Sequence, residues 1–66
     1  MSEREEILAL ESAVTAIEEA ASAVSREVER GRLGDASIAR LSRVEAELDR
    51  SRLTLEKIIR EETSRG

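Results

Sequence analysis

The sequence predicts an all-α fold: an antiparallel, coiled-coil-like helical hairpin that assembles as a homodimer into a four-helix bundle. Two heptad seams, a glycine-bracketed break between them and a shortage of core material carry that expectation. Ile7, Leu10, Val14, Ile17, Ala21, Val24 and Val28 recur at alternating spacings of three and four. Ser37, Leu41, Val44, Leu48, Ser51, Leu55 and Ile58 repeat the rhythm in the second half. Apolar positions recurring about every 3.5 residues form one continuous stripe on a helix, which suits it to lie along another helix.

The elements follow in chain order within one domain, residues 1–66. Ser2-Glu3-Arg4-Glu5 matches a capping box, in which the serine hydroxyl and the glutamate carboxylate satisfy orphan amides at a helix start. Helix 1 is expected over about 3–30. Gly31 stands where a left-handed C-terminal cap wants glycine. The loop takes about 31–35, with Leu33 expected to lid the core end against Val28 and Ile38. Asp35 is the favoured N-cap of helix 2, ahead of Ser37, and that helix is expected over about 36–61. So short a loop makes the helices antiparallel neighbours.

Pairing positions whose numbers sum to 65 sets every seam residue opposite another, from Ile7 with Ile58 to Val28 with Ser37. In that register Glu27 falls near Arg40 and Glu18 near Arg52. Beside the first seam runs a row of small residues, Ala9, Ala13, Ala16, Ala20 and Ala23, and Ile38 and Ile59 flank the second. These widen the apolar arcs beyond a two-stranded seam and mark a possible second interface. Alanine is also the best exposed helix former, which is the plainer reading of that row. Leu8 and Leu53 should point outward.

Composition supports association. Apolar residues are 39% of the chain, none aromatic. For chains this short, apolar burial and ordering entropy nearly cancel, so small domains need disulfides, a metal or partners. Cysteine and histidine are absent, which removes disulfides and the best zinc ligands and leaves self-association. The net charge of −4 argues against a nucleic-acid partner. No apolar run approaches the length that crosses a membrane or forms a signal-peptide core, so residence is expected to be cytoplasmic. Arg greatly outnumbers Lys, as in GC-rich bacterial or phage genes. The missing residue types also fit a designed bundle, although Ser12, Thr15, Ser22 and Ser25 are mediocre helix formers that a designer would avoid.

Little catalytic chemistry is on offer. Without His, Cys or Tyr most nucleophile and general-base constellations cannot be built, and Lys57 is the sole lysine. Adjacent pairs such as Glu18-Glu19 diverge on a helix and share a ligand poorly. We therefore expect no catalytic, cofactor or metal site, and no enzyme. Arg43, Arg50 and Lys57 are seven apart and line up in a stripe that could track phosphates. Interspersed Glu47, Asp49 and Glu56, and the lack of an aromatic to stack a base, favour a solvated face instead.

Two resemblances bear on the alternative role of a small accessory or regulatory subunit, docking a helical face on a larger enzyme or on nucleic acid. In length and shape the chain resembles the plasmid RNA-regulating hairpins of the Rop type, without a shared motif. Glu29-Arg30-Gly31-Arg32-Leu33 and Leu48-Asp49-Arg50-Ser51-Arg52 resemble a turn and a second-helix stretch of the exodeoxyribonuclease VII small subunit. That match needs a one-residue gap and lacks the family's aromatic and glycine in the second helix. Coiled-coil periodicity by itself produces much of it.

Overall fold

The computed structural model describes residues 3–65 and is all-helical, two helices packed against each other as a hairpin. Helix α1 spans Glu3–Arg30 and helix α2 spans Asp35–Arg65. The serine of the capping-box motif, Ser2, lies outside the described residues. Thr15 and Thr54 keep their hydroxyls satisfied inside the helices by donating to the carbonyls of Glu11 and Arg50, at 3.3 and 3.0 Å.

Gly31 stops α1. Its φ of 67° is left-handed, and its N–H donates to the carbonyl of Val28 at 3.2 Å, so the chain leaves the helix axis within one residue. Helix α2 begins one residue earlier than preferred N-cap chemistry suggests. The carbonyl of Gly34 accepts the first helical bond, from the N–H of Ile38 at 3.0 Å, which makes Gly34 the cap and Asp35 a first-turn residue. There the Asp35 carboxylate complements the positive end of the helix dipole, as Arg30 and Arg65 complement the negative ends. At its far end α2 continues past Glu61 to Arg65, where Arg65 closes an ion pair on Glu62 at 2.9 Å. Leu33 does not lid the core; it is 39% exposed.

The molecule is a rod of 48 × 14 × 14 Å, as long as its longer helix, whose 31 residues rise about 46 Å. Its radius of gyration is 15.2 Å, against about 11 Å for a compact chain of the same length. Among the described residues no side chain is buried. No described helix is long and apolar enough to cross a membrane.

Candidate functional site

The surface between and beside the helices is where the sequence placed its candidate residues. On α1 the half-buried positions include Ile7, Leu10, Val14, Ile17, Ala21, Val24 and Val28, with Ala13 and Ser25 at the flanks. On α2 they are Ile38, Leu41, Glu45, Leu48, Arg52, Leu55, Glu56, Ile59 and Glu62. Leu41, Leu48 and Leu55 thus face α1, but the row beside them is not the expected one. Ile38, Glu45, Arg52 and Ile59 turn inward, whereas Ser37, Val44, Ser51 and Ile58 are exposed. Both rows flank the leucines at heptad spacing, one on each side, so a small rotation of α2 exchanges them.

The rotation moves the register. Ser25 Oγ donates to Glu45 Oε2 at 2.5 Å, joining positions that sum to 70 rather than 65. An open groove lined by Glu11, Val14, Thr15, Glu56, Ile59 and Arg60 joins positions with similar sums. The inward rows and this bond are met together when paired numbers sum to 69. Val28 is then level with Leu41, Ala21 with Leu48 and Val14 with Leu55. That series ends with Ile7 level with Glu62, and the alternate layers set Val24 level with Glu45, Ile17 with Arg52 and Leu10 with Ile59. In the layers of Glu45, Arg52 and Glu62 a long polar side chain occupies half and carries its charge to the rim, as amphipathic side chains do. That is why the seam stays half-open and nothing in it is sealed from water.

The cross-helix ion pairs expected for Glu27 with Arg40 and Glu18 with Arg52 do not form. Glu27 pairs with Arg30 at 2.8 Å within α1. Arg52 is held by Asp49 at 2.8 Å and Glu56 at 3.1 Å within α2. The hydrogen bond that Arg52 donates to Asp49, ahead of the attraction of Glu56, raises the pKa of the Arg52 guanidinium above its ordinary value against an opposing effect of burial. A raised cation contributes stability that is fully present below its unfolded pKa and is lost only as pH rises through the folded one, beyond arginine's usual range. Arg52 therefore stays charged throughout the neutral range. All ion pairs among the described residues are three or four apart on one helix, so none selects the register.

Of the alanine row, Ala13 is half-buried and Ala9, Ala16, Ala20 and Ala23 are exposed. Val44 at 39% and Ile58 at 37% exposure, and the outward Leu8 and Leu53, complete the apolar surface that one hairpin leaves in water, together with Leu33. The total accessible surface is 5193 Å². A compact folded protein of 7.3 kDa exposes about 4,200 Å², so the hairpin shows roughly 1,000 Å² in excess. No protein-family model, curated protein or solved structure matches the chain.

Proposed function

We propose that this chain is a non-enzymatic, self-associating helical hairpin with a structural, scaffolding or protein-interaction role, two copies forming a four-helix bundle in the cytoplasm. The observation that carries this reading is the excess of roughly 1,000 Å² on a hairpin with no buried side chain among its described residues. A standard interface covers about 800 Å² per partner, so one additional copy accounts for the surplus. Sealing half-exposed Leu, Ile and Val adds the apolar burial that the seam, interrupted by Glu45, Arg52 and Glu62, lacks.

Sedimentation equilibrium combined with thermal unfolding over a range of concentrations tests the proposal. We expect twice the 7.3 kDa chain mass and a midpoint that climbs with concentration, because association stabilises by mass action. A single-chain mass with a concentration-independent midpoint would overturn it.

The competing reading, an accessory subunit docked on nucleic acid, has one observation in its favour. Arg43, Arg50 and Lys57 are exposed and enter no ion pair among the described residues. Duplex binding that weakens steeply with salt, and is lost in a double Arg43→Glu, Arg50→Glu variant, would favour that reading.

A further inference from the structure

The two long sides of the hairpin differ in chemistry. In an antiparallel pair, corresponding flanks of the two inward stripes come to the same side. One side is fixed by the Ser25–Glu45 hydrogen bond and by the groove that brings Glu11 and Thr15 beside Glu56 and Arg60. Glu18 and Asp49, seven residues from Glu11 and Glu56 respectively, lie on the same side, so it is densely charged.

The opposite side carries the other flanks: Ala13 and Ala20 from α1, and Ser37, Val44, Ser51 and Ile58 from α2. Along α1 that flank meets charge only near its ends, at Glu6 and Glu27, and along α2 only at its end, at Arg65, while the next row out on α2 holds Arg40, Glu47 and Glu61. The two α2 rows beside the leucines thus divide the labour. One turns into the hairpin, and the other is left uncovered on the side whose flanking rows carry charge only near the helix ends.

We infer that this sparsely charged side is the contact surface for a second copy of the chain, and that the densely charged side remains in solvent. The inference rests on the self-association reading and specifies its face. Three features favour an identical partner. The surplus surface is close to one standard partner's share. The central stretch of both flanking rows lacks charge and the α2 row outside it carries both signs, Arg40 and Glu47, so two copies of net −4 meet there without a run of like charges opposed. Small Ala13, Ala20 and Ser51 alternate with larger Val44 and Ile58, which permits a self-complementary two-fold contact.

The chain has no cysteine, so one introduced thiol reports on one face. Ser51→Cys and Ser22→Cys are near-isosteric changes at positions that are both exposed in the lone hairpin, Ser51 on the sparsely charged side and Ser22 beyond the densely charged flank. Maleimide labelling is measured alongside the mass of each variant. If a tenth of the chain is monomeric, the thiol at position 51 should react about tenfold more slowly than that at position 22, with the difference vanishing on dilution to monomer. Equal rates, or protection at position 22 alone, in a sample of dimer mass would overturn the assignment of the face and leave self-association standing. A monomer mass for the unaltered chain at every concentration would sink both.

Discussion

The two glycines of the link should respond to substitution with opposite signs, although a Cβ at either meets nothing within 4 Å. Space is therefore not the issue, and only backbone conformation differs. Gly31 sits at φ 67°, where a side chain costs roughly 1–2 kcal/mol. Replacing glycine also narrows the unfolded ensemble, which returns roughly 0.4–1 kcal/mol. Gly31→Ala should therefore destabilise by about 1 kcal/mol. Gly34 has no positive φ and occupies the N-cap of α2, so Gly34→Ser keeps the entropic gain and adds a capping hydroxyl. It should stabilise by about 1 kcal/mol. The variants then differ by about 2 kcal/mol, or roughly 8–16 °C in melting midpoint for a domain of this size. Far-UV circular dichroism melts at one fixed concentration measure this directly, since the midpoint also moves with association. Equal midpoints, or a more stable Gly31→Ala variant, would refute the assignment of the two caps.

Three other outcomes are expected. Arg52→Leu, which places an apolar side chain level with Ile17 and gives up only same-helix pairs, should raise the melting midpoint; a lower one would show that the guanidinium holds the hairpin. Association of copies that each carry −4 should tighten as ionic strength rises and as pH falls toward the isoelectric point of about 4.9, read as a falling dimer dissociation constant in sedimentation, whereas weakening with salt would point to ionic docking. The double change Val14→Asp and Ile17→Asp puts two carboxylates into adjacent layers and should cost more than about 3 kcal/mol, enough to abolish the helical signal of a marginal domain; retained helicity would contradict the α1 seam.

The α1 seam was legible because its inward rows hold nothing but Ile, Leu, Val and Ala. Those of α2 were legible only at Leu41, Leu48 and Leu55. The two rows beside these leucines each hold two apolar and two polar residues: Ile38, Glu45, Arg52 and Ile59 against Ser37, Val44, Ser51 and Ile58. Spacing cannot choose between them. Polarity favours the wrong one, because serine reads as a better core residue than glutamate or arginine. What decides is reach, since Glu45 extends to the hydroxyl of Ser25 and Arg52 to carboxylates on its own helix. The register moved with that choice, and the proposed cross-helix ion pairs went with it. The start of α2 was displaced for a related reason: Asp35 has the better capping side chain, but the carbonyl that opens the helix belongs to Gly34. The candidate surface could not be assigned to one side from periodicity alone, because heptads mark which residues are apolar and not which neighbouring row turns away.

The four-residue link has a kinetic corollary. Helices so close in sequence meet after a short loop closure, an event of about 10–100 ns for roughly ten residues, and need no distant strand to arrive. Contact order is low, and zipping of a single chain should be among the fast classes of folding. In a pair of hairpins the slow step then becomes a collision of two molecules. Refolding would divide into a first-order phase indifferent to dilution and a second-order phase that slows with it, so the cellular supply of the chain would set how quickly its finished form appears.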